Sequence, residues 1–275
     1  MIVDSGSEAD VSLIFIQPSG SPLAKKTVLR LDGIWFKPEE FIHMNVPIKR
    51  AYESATSVIF QSEFDKKMVE HHWNSRENTN VIHNGVEIEE IEENPAILDI
   101  KQKFGRLIVC SSNWHRQKRL ESNFEMFQHL TKNTDAAFII LGSNPYVRST
   151  APNVFYAGSQ SHETCLQIYE AADMMLHLAW ADHCPNVVVE ALSRKCPVIC
   201  ASTGGTKEIV KGRGYMVNEE PYEYELYDYD NPPSLTLQIQ RYTPHDLNLS
   251  RDFNTDDLDI NLVADKYINV LESVL

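Results

Sequence analysis

No stretch of this chain stays apolar for the ~20 residues that a bilayer-spanning helix needs, so no integral membrane span is expected. Positive charge is scarce: 25 Lys and Arg face 39 Asp and Glu, a formal net charge of −14. That balance argues against general binding of nucleic acid or an anionic membrane, both of which need a net basic surface. A small anionic ligand would require a local basic cluster. Cysteine is sparse and odd in number, with five residues and no Cys-x-x-Cys pair. Buried, reduced thiols in an intracellular protein are the expectation. His183 and Cys184 with Cys196 and Cys200 match no common zinc spacing. The opening MIVDSGSEAD has neither a basic segment nor an apolar one, so it does not read as a secretory leader. A cytoplasmic location follows as an expectation.

What is present is a globular composition, 43% hydrophobic and 23% charged over 275 residues. Short apolar runs at Val11–Ile16, Thr27–Leu31, Ser57–Gln61, Asn80–His83, Leu107–Ser111, Ala137–Leu141, Val154–Tyr156, Met174–Leu178 and Pro197–Ala201 read as strands. Several are continuous rather than alternating, as in parallel strands covered on both faces. Helix-like stretches lie between them: Pro47–Ala55, Glu63–His72, Leu120–Thr131, Glu163–Ala172 and Asn186–Arg194. Strand and helix in turn predict an α/β, doubly wound architecture. The acidic block EIEEIEEN at 87–94, followed by Pro95, is either a solvated loop or helix start or a boundary. The strand series restarts at Leu107, which favours two lobes: residues 1–88 and 89–258, with a final helix at 259–275. That helix places Leu262, Val263, Tyr267, Ile268, Leu271 and Val274 at amphipathic spacing and is expected to pack back on the first lobe. Residues 219–233, EEPYEYELYDYDNPP, read as a surface excursion. Their Asp228-Tyr229-Asp230 matches a short metal motif that should end a buried strand, whereas this one lies in a loop; no metal site is expected. Residues 235–241 suit a strand or a short helix equally.

Three clusters carry chemistry. Asp182 follows the strand at Met174–Leu178, where open parallel sheets bind ligands. Eight positions later, Glu190 lies on a helix opened by Pro185, if the valines at 187–189 are helical rather than extended. The two carboxylates then share one cleft; spacing alone equally allows a surface Asp and an unrelated helix Glu. Gly204-Gly205-Thr206 follows the strand at Pro197–Ala201 and opens a helix, an arrangement that is either an anion cradle or a plain turn. Asn113-Trp114-His115-Arg116-Gln117-Lys118-Arg119 is the densest basic cluster, again beyond a strand end. It is either a solvated turn or a diphosphate clamp, with Lys118 as point charge and Arg116 as a fork of donors. Together the clusters suit a ligand with a charged middle and hydroxyl-rich ends.

The pattern Asp182…Pro185-Asn186…Glu190-Ala191-Leu192…Pro197-Val198-Ile199…Gly204-Gly205…Glu208-Ile209-Val210 resembles the donor-site signature of the retaining glycosyltransferases of family 4, also called glycosyl transferases group 1. Asn80–Val86, Asn153–Gly158 and Ala171-Ala172-Asp173 are similar to further landmarks of that family. The resemblance covers about residues 27–218. It implies a GT-B fold, two Rossmann-like lobes facing across a cleft. It also implies transfer of a sugar, such as a hexose, from a UDP- or GDP-linked donor with retention of configuration and no resident metal or other cofactor. The acceptor would be a carbohydrate, lipid or protein. By resemblance, Asp182 contacts the donor sugar, Glu190 the ribose, and Lys118 the diphosphate. Gly204, Gly205 and Thr206 lie near the sugar or phosphates, Ser159 and Gln160 near the base, and Asn186 in the same donor site. Asp32 stands beside the place of a first-lobe His near the reacting sugar.

The sequence departs from that family in three ways. Asn113 stands near the place of an Arg; either Arg116 or Arg119 is the substitute, or donor affinity is weak. The first acid is Asp182 rather than Glu, one methylene shorter. The first lobe lacks the expected opening strand, glycine-rich loop and first helix, which leaves room for self-association or completion by another segment. These departures carry the alternative of a non-catalytic nucleotide-sugar-binding or scaffold protein.

Overall fold

The computed structural model describes residues 9–18, 23–242 and 249–275. The first lobe is a four-stranded parallel sheet in the order β1-β2-β3-β4, formed by Val11–Phe15, Lys26–Leu31, Ser57–Phe60 and Thr79–Val81. Helices α1 (Pro38–Met44), α2 (Val46–Ser54) and α3 (Glu63–His72) connect these strands. The second lobe is a six-stranded parallel sheet in the order β10-β9-β8-β5-β6-β7. Its strands are β5 (Leu107–Ser111), β6 (Ala137–Leu141), β7 (Val154–Gly158), β8 (Met174–His177), β9 (Val198–Ala201) and β10 (Gly214–Val217).

The continuous apolar runs have the predicted cause. Successive side chains of a strand point to opposite faces. In β5, Leu107 and Val109 enter one apolar cluster while Ile108 and Cys110 enter another. In β3, Val58 and Phe60 likewise face one core and Ile59 another. Both faces of each sheet are therefore covered, and each strand must be apolar throughout.

The second-lobe helices are α4 (Pro95–Phe104), α5 (Leu120–Leu130), α6 (His162–Ala171), α7 (Asn186–Ser193), α8 (Thr206–Val210) and α9 (Thr236–Arg241). Two of them start at side-chain caps: Asn94 Oδ1 accepts from the Ala96 N–H at 3.2 Å, and Ser161 Oγ from the Thr164 N–H at 3.1 Å. The valines of 187–189 are helical, with Pro185 before the first turn, and 236–241 is a helix rather than a strand. The acidic block at 87–94 is a connection, after which α4 buries Ile97 in the second-lobe core. The final helix α10 (Ile260–Ser273) is capped by Asp259 and buries Val263 and Val270 beside Val28, Ile59 and Ile82 of the first lobe.

The segment 219–233 departs from the expected surface excursion. Tyr222, Tyr224, Leu226, Tyr227 and Tyr229 pack on a core formed by Phe36 and Phe64 of the first lobe and Trp180 of the second. The Tyr227 N–H donates to the Phe36 carbonyl at 3.0 Å, and the Trp180 and Tyr227 rings pack at a tilt with centroids 4.6 Å apart. The tyrosines make this acidic strap an apolar surface on one side, so it straps one lobe to the other. No helix among the described residues is long and apolar enough to cross a membrane.

Candidate functional site

In the second sheet the strand order reverses between β5 and β8. Crossovers leave to opposite sides there, so the loops beyond these two strands part and frame a crevice. One loop carries Lys118 and the other Asp182, residues 64 apart in sequence. Lys118 Nζ donates to Asp182 Oδ2 at 2.6 Å. The same oxygen lies 3.0 Å from His177 Nε2, at the end of β8. Burial alone would raise the Asp182 carboxyl, but Lys118 and His177 outweigh it and hold it far below the usual carboxylate range. The acid is therefore a carboxylate with a fixed orientation. His115, on the Lys118 loop, is held below the ordinary imidazole value first by burial and then by the Lys118 charge.

A cavity of about 430 Å³ opens against these groups and is lined by Trp35 and Phe36 from the first lobe, and His115, Lys118, Asp182 and His183 from the second. Tyr229 and Asp230 of the strap close another side. Asp230 Oδ2 accepts from Lys37 Nζ at 2.5 Å, and Asp228 Oδ1 lies 3.7 Å from the same nitrogen. The Asp-x-Asp sequence is thus paired with a lysine. Among the described residues no group of three or more His, Cys, Asp or Glu is placed to hold a metal ion.

The lobes touch at specific polar points. Glu208 of α8 accepts the first-turn N–H groups of α3 across the cleft, from Glu63 at 2.8 Å and Phe64 at 2.9 Å, with His83 Nε2 at 3.3 Å. Burial would raise its carboxyl, yet His83 and the two backbone donors bring it below the ordinary value. Asn84 Nδ2 donates to Asn186 Oδ1 at 2.6 Å and to the Cys184 carbonyl at 3.1 Å. His183 Nδ1 faces Asp65 Oδ1 of α3 at 3.3 Å. The His183 ring lies so close to Gly33 (φ +120°) that a Cβ there would sit 2.6 Å from it.

The predicted site residues divide into three sets. Asp182 and Lys118 meet directly, and the glycine turn packs against Asp182. Gly204 (φ +118°) would bring a Cβ to 2.6 Å from the Asp182 carbonyl oxygen, and the Gly205 N–H donates to that oxygen at 2.7 Å. Part of the expected anion cradle is therefore spent on shaping the acid's loop. Thr206 is buried at the start of α8, a helix of only five residues.

Glu190 lies on α7 outside the cavity lining, 3.7 Å from His162 Nε2. Its carboxyl is pushed up by burial, partly offset by His162. Ser159 and Gln160 are exposed beyond β7, and the Gln160 amide folds back to the Ala157 carbonyl at 2.5 Å.

The remaining residues have other partners. Asn113 accepts from Ser143 Oγ at 2.7 Å. Arg116 pairs with Glu121 at 3.1 Å and covers the Tyr146 ring at 4.6 Å. Arg119 is 2% exposed and pairs with Glu219 at 2.8 Å. Neither arginine lines the cavity in this arrangement. Asp32 is held by Arg30, which also donates to Asn84 Oδ1 at 3.0 Å.

Sequence reasoning missed His177, Asp65 and Glu219, and it named His183 only in an unmatched zinc spacing and Glu208 only within the family signature. A lone His or Asp carries no signal until a partner distant in sequence is brought beside it. The five cysteines are free thiols, four of them buried, and burial pushes Cys196 and Cys200 up to about 12.

Residues 105–227 match the family model described as Glycosyl transferases group 1. No curated protein matches the chain. Among solved structures, the chain is similar to HepE from Anabaena in complex with UDP-glucose, at 19% identity and a TM-score of 0.66, over 90% of this chain and 72% of that one. It is also similar to a sucrose-phosphate synthase from Thermosynechococcus elongatus, at 16% identity and a TM-score of 0.64, over 92% and 68% of the two chains. A glycosyltransferase from Rickettsia africae gives 15% identity and a TM-score of 0.63, over 96% and 77%. The two parallel α/β lobes are those of GT-B glycosyltransferase structures.

Proposed function

We propose that this protein is a retaining glycosyltransferase of family 4 that takes a sugar from a UDP- or GDP-linked donor without a resident metal. The carrying observation is the Lys118–Asp182 pair at the sheet's switch point, facing a cavity that the first lobe closes. The match of residues 105–227 to the glycosyl transferases group 1 model and the nucleotide-sugar complex among the similar structures support the reading.

Lys118 supplies the positive charge for the donor's diphosphate and for the charge that develops as it departs. Asp182, kept ionised, accepts hydrogen bonds from sugar hydroxyls, and Glu190 accepts them from the ribose. When a donor enters, its phosphate competes with Asp182 for Lys118, and the sugar hydroxyls take up the carboxylate in exchange. Ser159 and Gln160 face the base from their exposed loop. A carbohydrate, lipid or protein acceptor enters from the first-lobe side, past Trp35.

Calorimetry with UDP and GDP tests the reading. Binding in the micromolar-to-millimolar range, about −8 to −4 kcal/mol, is expected. It survives EDTA and falls at least about tenfold in Glu190→Ala and Lys118→Ala, a loss of ~1.4 kcal/mol or more. No heat from either nucleotide with the unaltered protein would end the proposal. A second reading, a nucleotide-sugar-binding scaffold, is favoured by one observation: among the described residues, Lys118 is the only Lys or Arg lining the cavity. Binding without hydrolysis or transfer across a donor and acceptor screen would select it.

A further inference from the structure

His183 follows Asp182 on the second-lobe loop, yet its ring lies among first-lobe groups. It packs over Gly33 and sits 5.6 Å from Phe64 and 6.3 Å from Phe36, centroid to centroid. Nδ1 is buried and faces Asp65 Oδ1 at 3.3 Å; neither atom makes a hydrogen bond among the described residues. Asp65 is 0% exposed, and its other oxygen receives the Gln61 N–H at 3.4 Å. Burial pushes the Asp65 carboxyl up, and the group that opposes this, His183, comes from the opposite lobe. With Nδ1 turned to Asp65, Nε2 is the polar atom left for the cavity that the ring lines. Trp35 and Phe36 stand on that cavity's first-lobe wall and Asp182 on the other side. An aromatic surface beside fixed hydrogen-bonding groups suits a sugar ring, which offers an apolar face and a rim of hydroxyls.

We propose that His183 contacts the donor's sugar and that Asp65, from the first lobe, is its positioning residue. The inference rests on the reading of the site as one for a nucleotide sugar. It separates two kinds of contact. Lys118 and Glu190, the groups assigned to the nucleotide, both belong to the second lobe. The His183 contact is built only when the lobes meet, because its orientation depends on Asp65. Sugar recognition is thereby coupled to lobe closure, while nucleotide binding is not.

The experiment titrates the full chain with a panel of UDP- and GDP-sugars. The tightest wild-type ligand is carried forward together with its parent nucleoside diphosphate. In His183→Gln, the nucleotide sugar is expected to weaken about tenfold, ~1.4 kcal/mol, while the nucleoside diphosphate stays within about twofold. Asp65→Asn is expected to shift the same ratio in the same direction, and to add nothing further in the His183→Gln background. A merely structural role for Asp65 would lower both affinities or add to the His183 effect. If Asp65→Asn does not fold by thermal melting, Gly33→Ala takes its place, since its Cβ would intrude at 2.6 Å on the ring. Unchanged ratios in His183→Gln, equal loss of both ligands, or additive Asp65→Asn effects would overturn the inference. Wild-type protein that binds no nucleotide at all would instead remove the reading beneath it.

Discussion

Replacing Lys118 with Met removes a charge and keeps most of the side chain's length. The loss falls on Asp182, whose side chain is 13% exposed and whose Lys118 partner is 19% exposed. Breaking a buried pair costs about 3–5 kcal/mol, because the surviving charge is left without its counter-ion. Here His177 remains 3.0 Å from the same oxygen and recovers part of that, so about 2–3 kcal/mol is expected. At roughly 2–4 °C per kcal/mol for a chain of this size class, the melting temperature should fall by roughly 4–12 °C.

The pH dependence has a definite sign. The folded Asp182 carboxyl lies below its unfolded value, so its contribution is fully present above pH ~4 and is lost as pH falls through the folded value. The gap between wild type and variant should therefore be widest above pH ~4 and close in stronger acid. Scanning calorimetry from pH 3 to 8 reads both effects. Adding Asp182→Asn to the variant should recover part of the loss, because it removes the stranded charge. A melting temperature unchanged in Lys118→Met, or a gap that widens in acid, would refute the electrostatic account of this site.

Two further outcomes follow from the same reasoning. Arg119→Met strands Glu219, which is 5% exposed and also accepts the Thr203 N–H at 3.2 Å, so a loss of about 3–5 kcal/mol in thermal or denaturant unfolding is expected, eased when Glu219→Leu is added. Glu208→Gln weakens the inter-lobe cap of α3 and should cost about 1–2 kcal/mol. Because the Glu208 carboxyl is depressed, that cost should be present above pH ~4.3 and shrink as pH falls below it, as melts across that range would show.

The strands that the sequence showed most clearly were those buried on both faces. Leu107–Ser111 and Ala137–Leu141 were read to the residue because nothing polar interrupts them. Asn80–His83 pairs only over Thr79–Val81, and Gly214–Val217 was missed, since edge strands mix polar and apolar side chains. The helix Pro95–Phe104 was not among the helices read, because the acidic block before it suits a loop or a boundary as well as a helix start. The strap at 219–233 misled because its charges outnumber its tyrosines. Its burial depends on a first-lobe surface that no local pattern announces.

The order of elements in the chain determined that there would be two parallel α/β lobes, since a strand buried on both faces leaves an apolar run that cannot be mistaken for a surface segment. It also placed Lys118 and Asp182 beyond strand ends, where parallel sheets bind ligands. What the tertiary structure alone decided was partnership. Strand order put those two loops at one switch point and seated Arg116 and Arg119 on other acids. Lobe closure set His183 against Asp65, and Glu208 on the start of α3. Those pairings join residues far apart in sequence, and a Coulomb interaction depends on distance in space, which one-dimensional spacing does not carry.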